Sequence, residues 1–265
     1  MGRKINFFSY LRVDCVRVFS SWRFLVGIIG VCAVMYLASY EGIDTSTNVV
    51  YVVWLIVYGM PFMISLVFSA FPFSCCFCED VEQKYAYWQV ARGNLTSYAI
   101  SKIIVVFLSA AITTMMGMLL YVSILRFQIP WIEENDAICQ SALTLGGFRS
   151  ILQSGMYYLY FALFGLQFGM LSGLLSVLAA AVSLFINNRL LTLSVPFMGF
   201  YLLSYYGGAL IDYDKFNLVS IYNATYNLWS NDLISFLYAI GFSVFGLLMM
   251  GGLIVWKLNR RMQNE

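Results

Sequence analysis

The chain has 265 residues, of which 61% are hydrophobic, 18% are aromatic and only 11% are charged. Soluble domains carry roughly 25% charged residues, so the chain has too few charges to cover a surface that faces water, and it is predicted to be an integral membrane protein. Because it has no histidine, histidine-based catalysis is excluded and the usual transition-metal ligand is missing. The sequence also lacks any run of basic residues of the kind that binds nucleic acid.

The first 23 residues are too polar to span a bilayer and instead show a helical pattern. Arg12, Asp14 and Arg17 lie between apolar residues that recur every three or four positions. This pattern predicts an amphipathic helix in the interfacial layer, with basic side chains facing anionic headgroups. The alternative is a leader that only sets topology. The apolar positions are Phe8, Leu11, Cys15, Val18, Phe19 and Trp22.

Six later segments are apolar and long enough to cross a bilayer, which takes about 20 residues per helix. They run over Phe24–Tyr40, Val49–Phe73, Ala99–Leu125, Tyr157–Ile186, Leu190–Tyr206 and Leu233–Trp256. The predicted fold class is therefore all-α, a polytopic membrane protein with six transmembrane helices plus an N-terminal amphipathic interfacial helix. A single transmembrane domain is expected to cover residues 1–265, with the interfacial helix at 1–23, the spans within 24–256 and a cytoplasmic tail at 257–265.

The distribution of basic residues predicts the orientation of the spans. With both termini in the cytoplasm, only Arg126, Arg149 and Lys215 fall outside, and the remaining twelve of the fifteen lysines and arginines fall inside. Cytoplasmic loops carry such an excess of positive charge. The sequence thus predicts a multi-pass protein of the plasma membrane with both termini in the cytoplasm.

One charged island, CEDVEQKYAYWQVARGNLTSYAISK at residues 78–102, interrupts the apolar sequence between the second and third spans. Acidic residues crowd its start, where a helix dipole favours negative charge, and Gly93 offers a left-handed stop. Asn94 or Thr96 can cap the next helix. The pattern predicts a short cytosolic helix with exposed aromatic residues, which is either a docking element or an ordinary loop lying on the headgroups.

The same stretch resembles the loop between the second and third helices of type-2 ABC exporter permeases. That family has an acidic cluster, a helix, a turn, and then a tyrosine four residues before a lysine. The interfacial helix, the six spans and the cytoplasmic termini extend the resemblance over nearly the whole chain, although Gly93-Asn94-Leu95-Thr96 replaces the family's proline-containing turn. The matching residues are Glu79, Asp80, Glu82, Arg92, Gly93, Tyr98 and Lys102.

The resemblance implies a transport subunit that is not itself an enzyme. Its cytosolic helix would couple to a separate ABC ATPase, which would hold the ATP and magnesium, because this chain carries no phosphate-binding loop and no cofactor of its own. The partners would also include a second permease copy or a paralogue, and a hydrophobic or peptide cargo. The implied ATPase contacts are Glu79, Asp80, Glu82, Lys84, Trp88 and Arg92.

The resemblance also implies roles at the start of the third span and after the fifth. Tyr98 and Lys102 would fix the entry of the third helix, whereas in the alternative Lys102 only reaches toward the headgroups. In the resembled family, short helices after the fifth span dip back into the outer leaflet and gate the exit. The aromatic residues of segment 207–232 would form this gate, unless they are an ordinary interfacial belt. The gate candidates are Tyr213, Phe216, Tyr222 and Trp229.

Two further patterns concern packing and metals. Gly165, Gly169 and Gly173 form a ridge of small residues that permits close helix approach, either within one subunit or at a dimer seam. The three cysteines Cys75, Cys76 and Cys78 lack a second ligand cluster, so no metal site is predicted.

The spans carry no acidic residue at mid-membrane depth, which disfavours an ion-coupled transporter. An ATP-independent transporter or channel and a non-transport anchor or sensor subunit remain the alternatives to the exporter.

Overall fold

The computed structural model describes residues 7–40, 48–57, 59–83, 94–133, 136–210, 214–225 and 227–264. Within these ranges every regular element is helical. The α-helices are α1 (Phe7–Phe19), α2 (Trp22–Ser39), α3 (Val49–Val57), α4 (Met60–Ala70), α5 (Cys76–Glu82), α6 (Leu95–Arg126), α7 (Ala137–Thr144), α8 (Arg149–Gln153), α9 (Tyr157–Ser183), α10 (Arg189–Leu210), α11 (Leu218–Tyr222) and α12 (Asp232–Asn264), and a 3₁₀ turn covers Asp214–Phe216.

The fold is that of an all-helical polytopic membrane protein, as predicted. Five helices (α2, α6, α9, α10 and α12) are long and apolar enough to cross a membrane, and α3 with α4 adds a sixth crossing if the pair is counted as one. Their bounds lie within a few residues of the predicted spans, apart from longer polar extensions of α6 and α12. Asn94 caps α6 as predicted, because its side chain accepts a hydrogen bond from the Thr96 N–H at 3.1 Å.

The prediction of one continuous helix over Val49–Phe73 is wrong. The axes of α3 and α4 differ in direction by 80°. Helix α4 restarts at Met60 with Gly59 as its N-cap residue and Pro61 in its first turn. Proline cannot donate the hydrogen bond that a continuing helix requires, but it fits a first turn. The chain therefore bends sharply between α3 and α4, and the pair does not form one straight helix.

Helix α9 is the most buried span and forms the centre of the bundle. It packs along α6 and also contacts α4, and α2 packs against both α4 and α6. Helices α10 and α12 expose most of their surface. The glycine ridge makes the α6 contact possible. A Cβ at Gly169 would lie 2.6 Å from the Ala111 carbonyl oxygen, and one at Gly165 would lie 3.2 Å from the Met115 Cα. The ridge thus packs inside the subunit, which is one of the two predicted interpretations.

Candidate functional site

The charged end of the bundle is formed where α1, α5 and the first two turns of α6 meet. Helix α1 turns a stripe at four-residue spacing, Tyr10, Asp14 and Val18, toward the protein. The amphipathic pattern had indicated that Asp14 lies on the polar, headgroup-facing side of α1. In the structure Asp14 is instead buried against α6. We call the charged residues that meet here the ion-pair cluster: Asp14, Arg17, Arg23, Glu79, Asp80 and Lys102.

Asp80 is the centre of the ion-pair cluster, with only 1% of its surface exposed. Its Oδ2 lies 2.8 Å from the Lys102 Nζ and accepts a hydrogen bond from the Tyr98 hydroxyl at 2.6 Å. Its Oδ1 accepts a hydrogen bond from the Arg17 guanidinium at 2.9 Å. Donors from α1 and α6 thus meet at one carboxylate of α5, and both of its oxygens are satisfied.

Lys102 is fully buried and lies between two carboxylates. Its Nζ lies 3.5 Å from Asp14 Oδ1, and the other oxygen of Asp14 accepts a hydrogen bond from the Ser101 hydroxyl at 2.7 Å. The ammonium group also lies 5.1 Å from the centre of the Phe73 ring, within cation–π range. The alternative in which Lys102 reaches the headgroups is therefore wrong.

The remaining pairs extend the cluster toward the surface. Glu79 binds Arg23 and lies 3.4 Å from Arg17. Farther out, Glu82 binds Arg189 at the start of α10, beside the tight hairpin that includes residues 187–189 and joins α9 to α10. Because the six members of the cluster include three acids and three bases, the cluster is neutral, as a low-dielectric environment requires.

The electrostatics keep both partners of the α1–α5 contact charged. Burial alone would raise the pKa of the Asp80 carboxyl, but Lys102, Tyr98 and Arg17 outweigh burial and lower this pKa below its ordinary value. Burial likewise disfavours the charged form of Arg17, yet its hydrogen bond to Asp80 and the nearby acidic charges raise the pKa of its guanidinium.

These directions predict how stability depends on pH. A carboxyl whose pKa is lowered by folding stabilises the fold above its unfolded pKa, and this contribution is lost as the pH falls through the folded value. We therefore expect the difference in unfolding free energy between the wild type and Asp80→Asn to be constant from about pH 5 to 8 and to shrink below about pH 4. Denaturant titrations in mixed micelles measure this difference. A difference that changes near neutral pH would contradict the assignment.

Comparison with family models, with curated proteins and with solved structures gives no match.

Of the six predicted ATPase-contact residues, three lie in the described part of the chain. Glu79 and Asp80 are largely buried in the ion-pair cluster, whereas Glu82 is 37% exposed in its pair with Arg189. Helix α5 begins at Cys76, earlier than expected, and ends at Glu82. The other three residues lie outside the described residues: Lys84, Trp88 and Arg92.

Three members of the ion-pair cluster were not predicted as site residues: Asp14, Arg17 and Arg23. Two features of the sequence could have indicated these pairs. Asp14 is an acid among the bases of the amphipathic segment, and residues 79–82 of the charged island contain more acids than bases. Tyr98 and Lys102 were predicted to fix the entry of the third span. Lys102 is a member of the cluster, and Tyr98 donates a hydrogen bond to its central residue, Asp80.

The cysteines near α5 have a packing role in the structure. All three are buried thiols, and burial raises the pKa of Cys75 to about 11. The Cys78 thiol donates a hydrogen bond to the Asn187 side chain at 2.6 Å. No group of three metal-ligating side chains occurs among the described residues. Cys75 and Cys78 thus contact the 187–189 hairpin, whereas Cys76 packs in the apolar core beside α1 and α6.

At the opposite end, the predicted gate residues separate into different environments. Tyr222 is fully buried, and its hydroxyl lies 2.7 Å from the Ser243 hydroxyl. Phe216 is exposed, and Trp229 lies at the surface with the Lys215 ammonium 4.3 Å from its ring centre. Tyr213 lies outside the described residues.

The segment that carries Tyr222 inserts between the spans. Gln167 donates a hydrogen bond from its side-chain amide to the Ile221 carbonyl at 2.9 Å. Gln167 lies ten residues into α9, which corresponds to about 15 Å along the helix axis. The Ile221 carbonyl lies at the end of the short helix α11, where no further turn supplies a donor. A side chain from a central span therefore satisfies it.

Below α11 lies a cavity of about 420 Å³ between α9, α10 and α12. Leucine, phenylalanine, methionine and glycine line it, including Leu218 of α11 and Met249 and Met250 of α12. The methionine side chains are flexible and adapt to differently shaped apolar groups.

Proposed function

We propose that this chain is the membrane-spanning subunit of a type-2 ABC exporter that resides in the plasma membrane with both termini in the cytoplasm. The observation that supports this proposal is the ion-pair cluster. Asp80 precedes residues 84–93 and Tyr98 and Lys102 follow them, and the three side chains bind one another directly. The two helices that flank these residues in sequence, α5 and α6, are thereby bound to each other and, through Arg17, to α1.

Such an arrangement suits a segment that transmits force. A force applied to residues 84–93 would act on α1, α5 and α6 together, because the paired buried charges that connect these helices are costly to separate. We call the ion-pair cluster, where the three helices meet, the joint. Helix α6 is 32 residues long and contacts the central helix α9 along the glycine ridge. A displacement at the joint would therefore reach the far end of the bundle through two rigid, closely packed helices.

The proposed partners follow from what the chain lacks. ATP and magnesium belong to a separate ABC ATPase, since the sequence has no phosphate-binding loop. A second copy or a paralogue would complete the pore. The proposed cargo is hydrophobic or amphipathic, such as an antimicrobial peptide, and the wholly apolar cavity under α11 favours this class.

The alternatives are an ATP-independent transporter or channel, and an anchor or sensor subunit. Purification of the tagged chain from its native membranes under mild detergent separates these candidates. For the exporter we expect a stoichiometric ATPase with a phosphate-binding loop. Absence of any ATPase from the wild-type complex would overturn the proposal.

A substitution tests the contact itself. In the exporter, Trp88→Ala is expected to remove most of the bound ATPase and to uncouple ATP hydrolysis from transport, because an aromatic anchor contributes much of the energy of an interface. Trp229→Ala, a matched change at the opposite end of the bundle, should leave the ATPase bound. Equal ATPase retention by the two variants would contradict the role of residues 84–93.

A further inference from the structure

A second cavity, of about 680 Å³, lies on the outer surface of the bundle between the start of α6 and the end of α12. It is an open groove with walls formed by isoleucines of α6 and by aliphatic residues of α12. The floor opens at Gly251 and Gly252. A Cβ at Gly252 would meet no atom within 4 Å, and one at Gly251 would meet only Ile103, at 3.7 Å.

The groove has the length of one leaflet. Its lining on α12 runs from Val244 to Asn259, and fifteen residues of helix rise about 22 Å. One half of a bilayer, including its headgroup layer, measures roughly 20–22 Å. The groove is thus long enough to hold an extended acyl chain with its headgroup at one end.

One end of the groove is polar and positively charged, whereas the remainder is apolar. Thr96, Trp256 and Asn259 line this end, on the same end of the bundle as the ion-pair cluster. The Arg260 guanidinium lies 5.4 Å from the centre of the Trp256 ring. Among the described residues Arg260 has no acidic partner within ion-pair distance. Tryptophan and arginine at this depth are typical of a membrane interface.

We propose that this groove, which we call the α6–α12 groove, is a binding site for an anionic phospholipid. The acyl chain occupies the trough over Gly251 and Gly252, the phosphate group lies at Arg260, and Thr96 and Asn259 supply hydrogen-bonding groups beside it. Charge complementarity selects this occupant, because a basic end without an acidic partner matches a phosphate and not the apolar face of another helix. The proposal does not rest on the transport function.

The test uses the full chain, purified and exchanged into micelles that contain equal amounts of phosphatidylglycerol and phosphatidylcholine, with retained lipid counted by native mass spectrometry. Gly252→Leu fills the groove and is expected to abolish the retained lipid. Gly241→Leu is the matched control, because a Cβ at Gly241 on the same helix also meets no atom within 4 Å. The control should retain lipid as the wild type does.

The headgroup assignment has its own pair of variants. Arg260→Gln should keep the lipid but reduce the preference for phosphatidylglycerol about fivefold, since one basic residue near a membrane surface contributes that much. Lys257→Gln should leave the preference unchanged, because the Lys257 ammonium faces the Phe185 ring at 4.3 Å.

Two results would overturn the proposal. One is equal lipid retention by Gly252→Leu and Gly241→Leu. The other is efficient crosslinking between copies through Gly252→Cys in intact membranes, which would show that a second copy of the chain occupies the groove.

Discussion

Replacement of Lys102 by methionine is expected to lower the free energy of unfolding by about 3–5 kcal/mol, the range found when one partner of a buried ion pair is removed. Methionine has nearly the length of lysine, so packing against Phe73 is kept while the charge is lost. Asp80 then keeps only its hydrogen bonds from Arg17 and Tyr98. Asp14, which is buried, loses its only cation among the described residues. The loss is measured by unfolding in mixed micelles, and protease accessibility of α1 reports its release from the bundle.

The control for this substitution is Lys257→Met. Lys257 contacts an aromatic ring at the surface and pairs with no carboxylate among the described residues, so its replacement should cost well under 1 kcal/mol, as for exposed charges. Combining Lys102→Met with Asp14→Asn should recover part of the stability, because the uncompensated carboxylate is then neutral. A double variant less stable than the sum of both single changes would contradict the pairing.

Replacement of Gly169 by alanine is expected to destabilise the bundle by about 1–3 kcal/mol, the usual cost of overpacking. The added Cβ would lie 2.6 Å from the Ala111 carbonyl oxygen and 3.0 Å from the Ala111 Cα. These are backbone atoms and cannot rotate away, so α6 and α9 must separate along their length. Unfolding in mixed micelles measures the cost.

Gly241→Ala is the matched control for Gly169→Ala. The new methyl group at position 241 meets open space, so only the higher helix propensity of alanine remains, and stability should stay equal or rise by up to about 1 kcal/mol. Gly165→Ala should fall between the two, since its closest contacts are at 3.2 Å and include the flexible Met118 side chain. If all three variants have the same stability, the ridge does not set the α6–α9 distance.

The substitutions Lys102→Met and Gly169→Ala both probe the helix contacts on which the proposed coupling depends. Lys102 holds the joint where α1, α5 and α6 meet, and Gly169 holds the contact through which α6 reaches the central helix. A variant that loosens either one is expected to weaken transmission between residues 84–93 and the far end of the bundle even where the protein still folds.

Composition and hydropathy alone predicted the fold class and most of the bounds of the long apolar helices, because a bilayer demands about 20 apolar residues per helix and leaves little freedom. Local chemistry predicted Asn94 as one of two possible caps of α6, and Asn94 is the residue that caps it. It did not predict the 80° break between α3 and α4, although Gly59 and Pro61 were its signals.

The partners of individual charges were decided by the tertiary structure. Hydropathy placed Arg17 and Asp14 on a headgroup-facing side and Lys102 at the start of a span, but the pairing of Asp14 with Lys102 bridges 88 positions of sequence. Sequence periodicity describes which residues share a face of one helix, and it contains no information on which helix meets that face. The sequence shows that acids and bases are available to neutralise one another near this end of the bundle. Which acid binds which base is decided only when α1, α5 and α6 pack together.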